Sequence, residues 1–481
     1  MNTIISRTLA EHIDALERKE YSSEELTRAY LDEINAKNEE LNAYITVTSE
    51  LAINEAKKAD ERRKKGEKLS KFDGIPYAAK DNISSDGIRT TCGSRMLENY
   101  VPPYDAHVIK TLKNKGCILL GKTNLDEFAM GISTETSYFG VTSNPIDKNF
   151  VAGGSSGGSA AAVGAKIASF ALGSDTGGSV RQPAAFCGVV GIRPTYGALS
   201  RYGLISFAPS LDQIGIISQN VTDNALIMEA LRSKDEMDET SFLHPCQSFV
   251  PKGGISAKIR VGILKFDFVN NVSENTIRAI KKCKKSLASL GINASEASLM
   301  HAKSAYASYY TVACAEASSN LARFDGVRYG YRSSNYTDAN SLYTNSRTEG
   351  FGGEVKRRIL FGTLALSAEY SDDFYNNACS ARSLISSELE RIFEEFDIVI
   401  MPTAPSEAYK KGEASRLGFE ASTDDIFCTI AALAGLPALS IPVKIGNSMP
   451  VGIQLVGKHC SEPLIYSLAH ILETNFKEEE K

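Results

Sequence analysis

Two glycine-flanked serines and one lysine at the end of an apolar run are the residues of this chain best suited to chemistry. The serines lie in Gly154-Ser155-Ser156-Gly157-Gly158-Ser159 and in Gly173-Ser174-Asp175-Thr176-Gly177-Gly178-Ser179-Val180-Arg181. The lysine is Lys80, in Gly74-Ile75-Pro76-Tyr77-Ala78-Ala79-Lys80-Asp81-Asn82. Ser179 falls where a strand turns into a helix. There Thr176, Gly177, Gly178 and Ser179 can aim backbone N–H groups at one point, as an oxyanion requires. A plain tight turn of an α/β fold accounts for the same glycines equally well. Burial would disfavour the charge on Lys80 and make it a usable base; a strand-end lysine with its amine in solvent is the simpler alternative. Asp81 is poorly placed as its partner, since adjacent strand residues point to opposite faces.

Ser155 formally fits the G-x-S-x-G nucleophile elbow, which should follow a strand and needs an acid and then a histidine downstream. Residues 144–150 read as a loop instead, and His244, His301, His459 and His470 lie in no recognisable catalytic setting. A phosphate-binding loop opening a helix at Ser159 is a further alternative, but the Gly-Lys-Ser/Thr ending and the G-x-G-x-x-G spacing are both missing. Joined together, the three residues make a relay that needs no histidine. Lys80 takes a proton from Ser155, Ser155 takes one from Ser179, and Ser179 attacks a carbonyl. The leaving group recovers its proton along the same chain, which suits an amine.

The elements that must position these residues alternate. Residues 7–68 read as helical, with Leu9, Ile13 and Leu16 at helical spacing and a capping box at Ser22-Ser23-Glu24-Glu25. The basic cluster over 61–68 reads as a solvated helix end or, less simply, an RNA contact. From Phe72 onward, short apolar runs at 75–79, 117–120, 167–172 and 188–192 predict buried strands, with helices over 107–114 and 159–165 among them. Residues 259–264, 398–403 and 450–456 predict further strands, and 275–290 and 462–474 further helices. This alternation predicts an α/β architecture around a covered sheet, without internal repeat or clear domain boundary.

Composition narrows the function classes. A net charge of −5 argues against broad nucleic-acid binding. The nine cysteines are scattered, with no C-x-x-C pair, so neither a zinc ribbon nor a redox pair is indicated. They read as thiols of a reducing compartment. Residues 1–20 lack a leader's apolar core, and the weakly polar run 428–443 is too short to span a membrane. The expectation is a cytoplasmic protein.

Read together, these residues resemble the amidase signature family. The motif runs from Gly153 through Ser155, Gly158, Asp175, Gly177 and Ser179 to Arg181 and Pro183, and the similarity extends over nearly the whole chain. It implies an α/β fold with a large mixed β-sheet covered on both faces by helices, formed by residues 1–481 as one domain with the helical segment 1–68 packed on it. It implies a triad of Lys80, Ser155 (after a cis peptide bond) and the nucleophile Ser179, with Thr176, Gly177, Gly178 and Ser179 as oxyanion hole. Arg193 stands where lysine is frequent in the family.

Three stretches outside the triad, 210–215, 316–330 and 350–358, are similar to the glutaminase (A-type) subunits of tRNA-dependent amidotransferases within that family. For such a protein the resemblance implies hydrolysis of L-glutamine through a glutamyl ester on Ser179. Ammonia then passes to a partner that uses ATP and Mg to convert Glu-tRNA(Gln) to Gln-tRNA(Gln). The chain is expected to form a heterotrimer with B and C subunits, to meet tRNA mainly through its partner, and to hold no cofactor or metal of its own. Tyr310, Arg358 and Asp425 match the family's glutamine contacts, and their neighbours Tyr309 and Asp424 leave two of these assignments open by one residue. Without the resemblance, Lys356, Arg357 and Arg358 read as a solvated basic helix face. A free-standing amidase acting on small amides is the second reading, and an inactive scaffold or nucleotide-binding protein the third.

Overall fold

One mixed sheet carries the chain in the computed structural model, which describes residues 4–251, 253–256, 258–414 and 423–479. Its strands are β1 (Tyr44–Val47), β2 (Pro76–Lys80), β3 (Ile118–Thr123), β4 (Phe170–Asp175), β5 (Val190–Arg193), β6 (Gln213–Ser218), β7 (Val261–Leu264), β8 (Ala294–Ala297), β9 (Ile398–Pro402), β10 (Ala438–Val443) and β11 (Val451–Gly457). They lie in the order β1-β3-β2-β4-β6-β5-β10-β11-β9-β7-β8. Alternate residues of one strand enter separate apolar clusters, Ile398 and Ile400 on one side of β9 and Val399 and Met401 on the other. Each face of the sheet is therefore covered, as strand-long burial requires.

The first helices form where the capping signals place them. In α1 (Leu9–Glu17) and α2 (Ser23–Leu41), Thr8 pairs with Glu11 and Ser22 with Glu25 in reciprocal capping boxes. The segment expected to be helical also contributes a strand: β1 sits between α2 and α3 (Ser49–Lys65) and pairs antiparallel with β3 at the sheet edge. The basic cluster is the end of α3. Arg62 grips the Asp73 carboxylate at 2.6 and 3.0 Å and Arg63 donates to the Asp73 carbonyl, while Lys64 and Lys65 are exposed.

β2 is flanked by β3 and β4, both parallel to it. Three carboxyl ends thus open on one edge, where α/β sheets bind their ligands. Lys80, Thr123 and Asp175 end those strands. The chain adds α4 (His107–Asn114) before β3, and α5 (Gly157–Gly164) and α6 (Arg181–Phe186) on either side of β4. Next come α7 (Val221–Leu231), α8 (Glu274–Ser289) and α9 (Ala305–Asn320), followed by α10 (Ala339–Gly350), α11 (Gly353–Ala365) and α12 (Asn377–Glu395). The last two helices are α13 (Ile426–Leu433) and α14 (Glu462–Glu478). None of the cysteines is bridged. Among the described residues no helix is long and apolar enough to cross a membrane, and no group of His, Cys, Asp and Glu could hold a metal ion.

Candidate active site

Lys80 is fully buried at the carboxyl end of β2, not a solvated strand end. Its Nζ lies 2.7 Å from Ser155 Oγ, 2.8 Å from Ser156 Oγ and 2.9 Å from Ser174 Oγ. Among the described residues no carboxylate is in ion-pair contact with it; Asp81 instead faces Lys122 at 3.8 Å and accepts from Thr91. Burial lowers the Lys80 pKa to about 7, against the weaker upward pull of charges farther off. The neighbouring hydroxyls are themselves hydrogen-bonded. Ser156 Oγ donates to the Ser174 carbonyl, and Ser174 Oγ accepts from Asn82 Nδ2. Lys80 Nζ also reaches the Ser174 carbonyl at 3.3 Å, so hydroxyl and carbonyl oxygens enclose the amine. Ser156, Ser174 and Asn82 escaped sequence reasoning, although the first two lie inside the two glycine-rich runs.

Ser155 precedes α5, and the Gly154–Ser155 peptide is cis. Ser156 N–H donates to the Ser179 carbonyl at 3.0 Å, drawing the two glycine-rich segments together. The hydroxyls of Ser155 and Ser179 are not hydrogen-bonded to each other, and Ser179 is 4% exposed. After β4 the chain turns through 176–180 into α6. Asp175 anchors this turn: its carboxylate takes Arg181 Nε at 3.0 Å and Nη2 at 2.9 Å, Arg193 Nη1 at 3.3 Å and the Val180 N–H at 3.2 Å. Burial alone would raise the Asp175 pKa, but the two guanidiniums bring it far below the carboxylate range. Thr176 Oγ1 donates to Asp212 at 2.6 Å. The N–H groups of Thr176, Gly177, Gly178 and Ser179 have no acceptor among the described residues. A run of open backbone donors is the arrangement an oxyanion needs. Side chains are excluded from the loop. A Cβ on Gly177 would lie 2.7 Å from Tyr309 Oη, and Gly178 has φ 141° with Cys428 Cβ 2.6 Å from where its own Cβ would be.

Arg358 is 4% exposed, not part of a solvated basic face; only Arg357 of the Lys356–Arg358 run is exposed. The phase of α11 turns Val355, Arg358, Gly362 and Ala365 inward. Arg358 Nε donates to Glu354 at 2.7 Å, and the guanidinium lies 5.2 Å from the Tyr310 ring and 5.5 Å from the Phe207 ring. Its terminal nitrogens make no hydrogen bond among the described residues. Asp425, 4% exposed at the start of α13, makes no capping bond. Its Oδ1 is buried without a partner among the described residues, 3.2 Å from where a Gly178 Cβ would lie. Burial pushes its pKa well up. Asp424, by contrast, accepts from Tyr409 Oη. Two of the tyrosines of α9 reach this region, Tyr309 against Gly177 and Tyr310 against Arg358. Burial raises the Tyr310 pKa to about 12, so its phenol stays a neutral donor.

A buried amine on three serine hydroxyls beside open backbone donors is the equipment of an acyl-transfer enzyme, and the whole-chain comparison agrees. The Amidase family model matches residues 25–465, and the chain belongs to that family. It is 47% identical over 476 residues to the A subunit of glutamyl-tRNA(Gln) amidotransferase of Caldanaerobacter subterraneus subsp. tengcongensis, covering 98% of this chain and 97% of that one. The crystal structure of the corresponding glutamyl-tRNA(Gln) amidotransferase chain from Thermotoga maritima, again the A subunit, is similar with a TM-score of 0.83 at 39% identity, over 99% of this chain and 96% of that one. The native peptide amidase of Stenotrophomonas maltophilia is similar with a TM-score of 0.80 at 27% identity, over 98% and 97% of the two chains.

Proposed function

We propose that this chain is the glutaminase subunit of a tRNA-dependent amidotransferase. The observation that carries the chemistry is the buried Lys80 amine 2.7 Å from Ser155 Oγ, with no carboxylate in ion-pair contact among the described residues. Ser179 Oγ attacks the side-chain carbonyl carbon of L-glutamine. Its proton moves to Ser155 Oγ, and the Ser155 proton to Lys80 Nζ. The Ser155–Ser179 contact tightens on substrate binding, as catalytic hydrogen bonds commonly do. The N–H groups of residues 176–179 hold the oxyanion. The C–N bond then breaks, the protons return along the relay to the leaving nitrogen, and ammonia departs from a glutamyl ester on Ser179. Water, deprotonated by the same relay, releases glutamate.

Arg358 binds the α-carboxylate of glutamine with its open guanidinium edge, Asp425 Oδ1 takes the α-ammonium, and Tyr310 packs beside the arginine. Asp425 holds a buried oxygen with no partner among the described residues and Arg358 an open guanidinium edge, which suits a zwitterionic substrate better than a plain amide. The whole-length likeness to the glutaminase chains of amidotransferases supports the rest of the reading. B and C subunits complete a cytoplasmic heterotrimer, and the partner holds ATP and Mg, makes most tRNA contacts, and amidates Glu-tRNA(Gln).

The test is ammonia release from L-glutamine by the tagged chain purified with the subunits that stay bound, with and without Glu-tRNA and ATP, and again after stripping. The reading predicts stimulation by tRNA and ATP that is lost on stripping. Equal release in every preparation, or faster release from small amides, would make the chain a free-standing amidase.

A further inference from the structure

Two of the stretches that set this sequence apart, 316–330 and 350–358, meet the turn Asp126-Glu127-Phe128, and the same turn holds the loop bearing Ser155. On one side, Asp126 N–H donates to the Ser155 carbonyl at 3.3 Å. The Asp126 carboxylate, fully buried, accepts from Thr134 N–H at 2.9 Å and from Thr136 Oγ1 at 2.8 Å. It also packs on the Gly154 Cα, where a Cβ would collide with it and with Ser133 N–H. Thr134 Oγ1 in turn donates to the Gly153 carbonyl at 2.8 Å and accepts from Gly157 N–H at 3.1 Å, so one hydroxyl closes both ends of the loop carrying Ser155. Thr134 adopts φ 58°, a costly conformation for a β-branched residue. Asp126 is the residue that holds it there.

On the other side, Glu127 is 3% exposed and has no cation in ion-pair contact among the described residues. One of its oxygens accepts from Ser94 Oγ at 2.5 Å, and the other from the N–H of Gly352, the residue that caps α11, at 2.8 Å. Phe128, at φ 51°, lays its ring 5.0 Å from that of Phe324 and 5.6 Å from that of Phe351. The helix bearing Arg358 is thus tied to the residue next to the one that fixes Ser155.

We propose that Asp126 and Glu127 are positioning residues that place the two halves of the site against each other: Asp126, through Thr134, sets Ser155 on Lys80, and Glu127 sets α11 and its Arg358. The inference rests on the roles proposed above for Ser155 and Arg358. Because the two carboxylates serve opposite halves, they leave opposite kinetic signatures on glutamine. Thr134→Val removes the bridging hydroxyl and keeps the shape. It lowers kcat by about tenfold or more with KM for glutamine held within about twofold, and Thr134→Ser restores kcat. Glu127→Gln leaves one acceptor for two donors. It raises KM by about tenfold with kcat held within about twofold.

The experiment is steady-state ammonia release from L-glutamine by the complete complex, wild type and variants, at a temperature below the unfolding midpoint of the least stable variant. The split described, with rescue by Thr134→Ser, is the expected result. Variants that change the same parameter, or change neither, overturn the inference while leaving the glutaminase reading intact. A wild-type complex that releases no ammonia from glutamine overturns that reading instead.

Discussion

Two parts of the site flank the 176–179 loop and are treated in opposite ways. The Lys80 amine is met by three hydroxyls, although Asn82 Oδ1 close by is buried with no partner among the described residues. In the other part, neither Asp425 Oδ1 nor the terminal nitrogens of Arg358 have a partner among the described residues. A buried polar group left unpaired costs about 1–3 kcal/mol, so such a cost persists where a ligand removes it. The lysine end of the half assigned to bond making is assembled in advance, with only the Ser155–Ser179 link left to form, whereas the half assigned to recognition is completed by the substrate. That contrast also says which groups decide rate and which decide choice of substrate.

Breaking the assembled half should have the largest effects. Ser179→Ala removes the nucleophile and should lower glutamine hydrolysis by more than about a thousandfold, with glutamine still bound in a calorimetric titration. Lys80→Ala should be nearly as severe, because it also strands the Ser155 proton. In the wild type only the neutral amine accepts that proton, so kcat/KM should climb as pH rises through about 7, the value to which burial lowers Lys80. A pH–rate profile flat across that pKa of about 7 would contradict this role. Breaking the open half should act on KM. Arg358→Ala and Asp425→Asn should each raise KM for glutamine by about one to two orders of magnitude and change turnover of a simple amide much less, as competing-substrate kinetics would show. Tyr310→Phe keeps the ring on Arg358 and loses one hydroxyl, so its KM should rise by no more than about tenfold.

The assembled half is legible in the sequence and the open half only partly so. Lys80, Ser155 and Ser179 each have a plainer reading when taken singly, a strand-end lysine or a tight turn, and it is their combination in the family motif that marks them. Arg358 is harder to read. Its basic neighbours suggest an exposed face, and only the inward phase set by Val355, Gly362 and Ala365 separates it from Arg357. Asp425 differs from Asp424 by which carboxylate Tyr409 already occupies, a tertiary fact. Strands show the same divide. The expected runs at 75–79 and 398–403 are β2 and β9, but β10 is hidden by Pro437 and Pro442, residues unusual in a central strand. Pro442 is tolerated because pairing with β5 stops at Ser440. β8 is a mostly exposed edge strand without an apolar run. The turn at Asp126–Phe128 has no periodicity at all, since its contacts are with segments distant in the chain.

The most direct test of the relay is to quench the complex during turnover of L-glutamine, digest it, and find by mass spectrometry which peptide carries the glutamyl group. The account predicts an ester on the peptide containing Ser179, absent in Ser179→Ala and lost when glutamine is exhausted. A glutamyl group on Ser155, or turnover with no ester on either serine, would contradict it.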